Sequence, residues 1–341
     1  MCATRTFQRT FRVLASGSGL GYGRAVNVGM CFDRSLPAPF VVEIAEGLEA
    51  AHVDQLWVIE DCFYTAAVSL AATALARTEM LTVGIGILPA VARNPAVTAM
   101  ELATLANLAP GRVIAGIGHG VQEWMEQMGG RTSSPVTTLD EAITIVRRLL
   151  HGETVTFEGA QYTMSDVALH APPESVPPVL AGVRGPKSLA LAGRVADGVV
   201  LAEGAGPTYV SQSIAQAGSP DPFRVSVFTA LAIDDDARTA RRNMAPFVAG
   251  MLDGANPAPN AHPHIDEIRE RFGARGVDGI ADMPADWWIE LGAIGSFDDA
   301  VRHAEALADA GADDVAFFPG PTVESAREDL DHVIRLATAL H

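Results

Sequence analysis

The sequence predicts an α/β fold, a (β/α)8 TIM barrel with insertions, and three observations point there. Apolar runs alternate with amphipathic stretches through most of the 341 residues, and eight such runs can be counted. The run over 224–233 is almost continuously apolar, as a strand buried on both faces must be. Several runs close in glycine or in a charged residue, which is the pattern of a barrel whose chemistry sits at the C-terminal strand ends.

Residues 1–24 carry Arg5, Arg9, Arg12 and Arg24, with no acidic residue before Asp33. They lack the apolar core of a secretory signal and read as an N-terminal extension, although a transit peptide shares the arginine-rich bias. Residues 25–341 read as one domain with insertions over about 152–176 and 253–294. The first strand spans 25–32, and the helix over 37–51 sets Phe40, Val41, Ile44 and Leu48 on one stripe. A strand over 55–59 and a helix over 66–77 follow. The third strand, 81–88, leads through Arg93-Asn94-Pro95 into a helix over 96–108, and the fourth, 112–118, ends at His119-Gly120.

Leu139, Ile143, Val146 and Leu150 then mark a helix over 138–150. Runs over 154–157 and 161–164 flank Glu158-Gly159 as a hairpin. A strand over 178–181, a helix over 187–195 and strands over 198–201 and 224–233 continue the alternation. The pattern weakens from 234 to 294, where helices over 236–251 and 265–272 flank a Pro/Asn-rich loop, 256–260. It resumes with a helix over 296–310, capped by Ser296 with Asp298 and Asp299 in its first turn. A strand over 314–318 and a helix over 323–340 close the chain.

Hydrophobic residues make up 48% of the chain, enough for a large core without disulfides. A net charge of -17 repels a phosphate backbone and argues against nucleic acid. Cys2, Cys31 and Cys62 are widely spaced and form no CxxC pair, which fits a reducing, cytoplasmic setting and gives no metal spacing. No run reaches the roughly 20 apolar residues of a membrane helix.

Gly116-Ile117-Gly118-His119-Gly120 invites comparison with a dinucleotide fingerprint, but Val121 stands where the third glycine belongs, and the segment is on the fourth strand. Strand-end glycines otherwise let a flat ligand or a phosphate approach bare backbone. Glu60 and Asp61 end the second strand at the barrel mouth; one faces the pocket while the other turns to a helix or a cation. Asp61 is the candidate for chemistry, and Glu60 is as readily a rim residue. His119 either donates to an anionic ligand or is simply exposed. Residues 182–187 run into a helix, so backbone amides with Arg184 or Lys187 suit a phosphate, the alternative being a rim salt bridge. Glu203, past the sixth strand, is a further pocket carboxylate. Trp124, Met125 and Met128 fit a core better than a cofactor platform, whereas Trp287 and Trp288 line a pocket or seal the barrel end. Neither a recurring metal pattern nor a G-x-S-x-G elbow appears.

Phe32, Glu43, Gly47, Trp57, Glu60, Arg93-Asn94-Pro95, Leu105, Pro110-Gly111-Arg112, Gly116-Ile117-Gly118, Gly120, Gly152-Glu153, residues 181–186 and residues 191–198 together resemble the bacterial luciferase-like monooxygenase superfamily. Within it the chain looks closest to F420-dependent reductases of the methylenetetrahydromethanopterin reductase type. The resemblance implies coenzyme F420, or alternatively FMN, in a TIM barrel. It implies a non-proline cis bond at Gly86-Ile87 behind the ring, with Arg93, Asn94, Gly118, His119 and Gly120 near the cofactor. The cofactor phosphate falls on Ala181, Gly182, Val183, Arg184, Gly185 and Lys187. A small-molecule substrate and a homodimer through the early helices are implied as well. Two departures stand out: Asp61 occupies the position of the histidine in the relatives' acid–histidine pair, and Val121 replaces a Glu of a sugar-phosphate-oxidising relative. Asp61, with His119 or Glu203, is then the expected proton carrier beside hydride transfer, the alternatives being an FMN-dependent monooxygenase or a non-catalytic flavin binder.

Overall fold

The structure, a computed structural model, describes residues 24–252 and 256–341; the expected extension lies, apart from Arg24, outside the described residues. β1 (Asn27–Phe32) leads through α1 (Phe40–Ala50) to β2 (Gln55–Val58), then α2 (Ala67–Arg77) to β3 (Thr82–Pro89). α3 (Pro95–Leu108) and β4 (Val113–Gly118) follow, then α4 (Gln122–Gln127), α5 (Pro135–Leu150) and an antiparallel hairpin, β5 (Val155–Glu158) with β6 (Thr163–Val167). The chain re-enters the barrel as β7 (Val179–Gly182), α6 (Pro186–Val195), β8 (Gly198–Leu201), α7 (Pro207–Gln216) and β9 (Arg224–Ile233). A helical insertion comprises α8 (Ala237–Leu252), α9 (Pro257–Asn260), α10 (Ile265–Arg275), α11 (Val277–Ala281) and a 3-10 turn, Ala285–Glu290. β10 (Ala293–Gly295), α12 (Phe297–Asp309), β11 (Asp314–Phe318) and α13 (Val323–Leu340) complete it.

β1, β2, β3, β4, β7, β8, β9 and β11 pair in that order, all parallel, and β11 closes on β1: the expected eight-stranded barrel. β9 is long because it serves two purposes. Its first half joins β8 and β11, while Leu231–Ile233 pair with the short β10 outside the barrel. Two sequence expectations need correction, and α7 was not anticipated. α7 has only Tyr209, Val210 and Ser213 buried, too weak a stripe to announce a helix. The expected loop at 256–260 is α9, because Asn256 caps it and Pro257 takes its first position. α5 begins at Pro135, with Ser134 accepting from Thr137 N.

Two layers fill the barrel interior. Near its floor the fully buried Asp314 accepts from Arg224 (2.7 Å to each oxygen), Ser226 Oγ (2.6 Å), Gln55 Nε2 (2.6 Å) and Asn27 Nδ2 (2.8 Å). Burial opposes its charge, but Arg224 and these donors outweigh burial and hold the carboxyl below its ordinary range. Above it Trp57 meets Phe228 edge-on at 5.0 Å, and Phe228 meets Phe318 at 5.9 Å. Gly84 and Gly86 make room for these rings: a Cβ at Gly84 would come within 2.3 Å of Trp57, and one at Gly86 within 2.5 Å of Phe228. The aromatic layer is thus the surface on which the barrel mouth rests.

Candidate functional site

The Gly86-Ile87 peptide is cis, as the resemblance implied, and the β3–β4 register breaks between Ile85 and Leu88. The bulge turns the Ile87 side chain across the strand ends. A Cβ at Gly116, Gly118 or Gly182 would approach Ile87 side-chain atoms at 2.9, 2.8 and 2.5 Å respectively. Gly118 and Gly182 therefore make a seat for the Ile87 side chain. Gly120 serves differently: its φ of +69 lies in the left-handed region, and it turns the chain into α4.

Glu60 is turned away from the pocket. Arg93 grips it through both guanidinium nitrogens, with Nη2 at 2.9 Å, and Glu60 Oε2 also accepts from Ala67 N at the start of α2 (3.1 Å). Arg93 Nε reaches Glu101 at 3.2 Å, and Asn94 Oδ1 caps α3 through Ala96 N at 2.9 Å. These three sequence candidates are spent on joining β2, α2 and α3; the strong helix-start signal at 93–95 is what they share. Glu60 and Arg93 thus pair with each other, and Asn94 caps α3.

Asp61 does face the mouth, but not alone. Arg34, just past β1, donates from Nη1 to Asp61 Oδ2 at 2.6 Å, and its guanidinium lies 5.0 Å from the Tyr64 ring and 5.9 Å from Trp124. Glu203 sits across the mouth. Its side chain, 31% exposed, has only a loose contact with Arg184 at 3.9 Å. Desolvation pushes the Glu203 carboxyl above its ordinary value, with Asp61 and Asp33 adding to it, against a hydrogen bond from its own backbone amide and the nearby Arg184. Cys31, fully buried below, is likewise pushed up by burial and by Glu203. Asp33 accepts from Ser35 N at 2.8 Å.

The start of α6 closes the other side. Glu60 occupies the first turn of α2, Asn94 that of α3, and Glu290 that of α7, through Thr208 N (3.1 Å) and Oγ1 (2.7 Å). α6 has no side-chain cap: Gly185 is its N-cap, Pro186 its first residue, and a Cβ at Gly185 would meet nothing within 4 Å. Open amides, Arg184 and Lys187 at a helix start fit a phosphate. His119 is half-buried beside it, its Nδ1 3.2 Å from Pro135 O and its Nε2 3.0 Å from Ser188 Oγ. Burial pushes His119 below its ordinary value, against the pull of the Pro135 carbonyl, so the ring is neutral near pH 7.

Sequence reasoning missed Arg34, Tyr64 and Ser188. Position was the available signal, since Arg34 follows β1 as Asp61 follows β2, and Ser188 lies in the first turn of α6. Trp288 is buried in the second core beneath the insertion and seals it; Trp287 stacks on His264 at 4.4 Å, with Arg271 5.4 Å from its ring.

The sequence profile of the luciferase-like monooxygenase family matches residues 22–314. A 5,10-methylenetetrahydromethanopterin reductase of Methanolobus tindarius is 30% identical over 319 residues, which are 87% of this chain and 96% of that protein. An F420-dependent glucose-6-phosphate dehydrogenase of Microbacterium testaceum is 35% identical over 148 residues, 41% of this chain and 43% of its own. Among solved structures, the coenzyme F420-dependent tetrahydromethanopterin reductase from Methanopyrus kandleri superposes with a TM-score of 0.73 at 21% identity, covering 92% of this chain and 99% of that one; this likeness speaks to the fold.

Proposed function

The chain belongs to the luciferase-like monooxygenase family, and from that premise we propose that it is an oxidoreductase using coenzyme F420 to move a hydride to or from a small organic molecule. One observation carries the cofactor assignment on this chain: the uncapped, glycine-led start of α6 opens on the barrel mouth beside the Ile87 bulge. When bound, F420 supplies or takes up the hydride.

The backbone amides of 187 and 188, with Arg184 and Lys187, would hold the phosphate, and His119 anchors Ser188, and with it the first turn of α6, rather than touching the reacting atoms. Ile87 on its glycine seat backs the flat ring. Glu203 takes the proton role first expected of Asp61. A desolvated carboxyl without a tight side-chain partner gives up and recovers a proton, whereas an Asp61 oxygen is occupied by the Arg34 guanidinium. Val97, Met100 and Leu108 form an exposed apolar stripe on α3, the face assigned here to a homodimer, which light scattering after size exclusion measures.

Parallel titrations with F420 and FMN, followed by absorbance and fluorescence and paired with an oxygen electrode, test the reading. F420 binding with no oxygen uptake is expected. FMN-dependent oxygen uptake would replace it with a monooxygenase, and tight binding without hydride transfer to any acceptor would leave a cofactor carrier.

A further inference from the structure

We propose that the barrel mouth takes an uncharged carbonyl compound, or the matching alcohol, with an apolar or aromatic body, and that the Tyr64–Arg34–Trp124 stack is the wall that selects it. The inference rests on the oxidoreductase function above and adds the substrate class.

The wall is built from three strand ends. Arg34 follows β1, Tyr64 lies on the loop after β2, and Trp124 is on α4 after β4; the one guanidinium lies within 6 Å of both ring centroids. Beside it two aromatic side chains face solvent at the mouth, Phe63 at 64% exposure and Tyr64 at 56%, with Val121 and Met128 each 41% exposed on the β4 side. Several large apolar side chains left exposed at the ends of β2 and β4 are costly to leave wet and mark a binding surface.

Charge narrows the class. Arg34 is committed to Asp61, and Arg93 to Glu60 and Glu101. Arg184 and Lys187 belong to the start of α6, where the cofactor phosphate goes. Among the described residues of the mouth no uncommitted cation is left to meet a substrate phosphate or carboxylate, and Asp33, which lies near enough to act on Glu203, would repel one. A cationic substrate fares no better: Asp61 already holds Arg34, and Asp33 is turned to Ser35. Glu203, whose protonated form burial favours, is in that form a hydrogen-bond donor across the mouth, and a carbonyl oxygen is the acceptor it suits. The Tyr64 and Phe63 faces then cover the rest of the molecule.

The test uses the full-length protein in saturation-transfer NMR, with and without bound F420, and four probes: cyclohex-2-enone, acetophenone, pyruvate and betaine aldehyde. F420 binding is checked separately by fluorescence titration, so that its failure counts against the cofactor assignment and not against the wall. The neutral ketones are expected to bind at least about tenfold more tightly than pyruvate, since like charges set against each other are strongly disfavoured. Tyr64→Ala should weaken the ketones about three- to tenfold. Arg34→Met frees the Asp61 charge, so betaine aldehyde should gain on the ketones. Pyruvate binding as well as the ketones, or no change in ketone binding on Tyr64→Ala, overturns the proposal whether or not F420 binds.

Discussion

His119 Nε2 lies 3.0 Å from Ser188 Oγ, so the end of β4 is hydrogen-bonded to the first turn of α6. The neutral ring has one N–H, and Pro135 O, 3.2 Å from Nδ1, accepts it; Nε2 must then accept from the serine hydroxyl. The serine's one proton goes to the ring, so the pair acts by fixing the first turn of α6, whose backbone amides would meet the phosphate. Ser188→Ala and His119→Ala should each weaken F420 binding about three- to tenfold, the range of one hydrogen bond, and leave turnover at saturating cofactor nearly unchanged. In the double variant the losses should fall short of additive, because both remove one interaction. Fully additive losses in a fluorescence titration would refute the coupling.

Glu203 sets the pH dependence. Burial raises its carboxyl, so its proton is still present above the ordinary carboxylate range and is lost as pH rises through the raised value. Turnover in the direction that consumes a proton should therefore fall on the alkaline side of that value. Glu203→Gln should cut kcat on the order of a hundredfold and abolish this limb, with cofactor affinity retained. A variant with the same alkaline limb would return the proton to another group. The same shift makes the folded state bind more protons than the unfolded one, so its share of stability is present at low pH and fades as pH rises.

Much of the scaffold was legible because it obeys local rules. The eight barrel strands are runs of apolar residues, and Asn94-Pro95 and Ser296 announce their helices. The residues at the mouth were legible as a set but not in their roles. Glu60 and Asp61 are adjacent in sequence, yet one is drawn to Arg93 and the other to Arg34, and neither partner is visible from strand alternation. The glycines at Gly118 and Gly182 were legible, but a glycine pattern does not reveal which side chain packs on them; here Ile87 does, from a bulge that no spacing shows. The Asp314–Arg224 pair at the floor joins residues 90 positions apart, and only barrel closure brings them together.

Glu60 and Arg93 should prove structural. Their side chains are 9% and 20% exposed, and Glu60 also caps α2. Removing one partner leaves the other charge largely buried, and partial solvent access at Arg93 moderates the loss to about 2–3 kcal/mol. Glu60→Gln should lower the urea midpoint accordingly while kcat per folded molecule stays within about twofold, well inside one hydrogen bond's worth. A large fall in kcat with unchanged stability would return Glu60 to the chemistry.

His303 offers a separate test of the barrel wall. It lies on α12, wholly buried, with Nδ1 2.6 Å from Ile289 O and Nε2 2.8 Å from Thr229 Oγ1, so one neutral imidazole ties α12 to β9 and to the 3-10 turn. The contacts fix its tautomer: Nδ1–H donates to the carbonyl, and Nε2 accepts from the threonine. Burial drives its pKa down from the ordinary 6.5 to about 4, against the pull of the Ile289 carbonyl. Between those values the unfolded chain binds the proton and the folded one does not, so stability is complete above pH 6.5 and is lost as pH falls toward 4. A depression of that size corresponds to on the order of 3 kcal/mol across the window. His303→Gln keeps a donor and an acceptor but no titration. Urea unfolding at a series of pH values should show the difference between wild type and variant shifting by about this amount in the variant's favour from pH 7 to pH 4. Parallel stability curves over that range would mean that the buried imidazole does not govern this acid sensitivity.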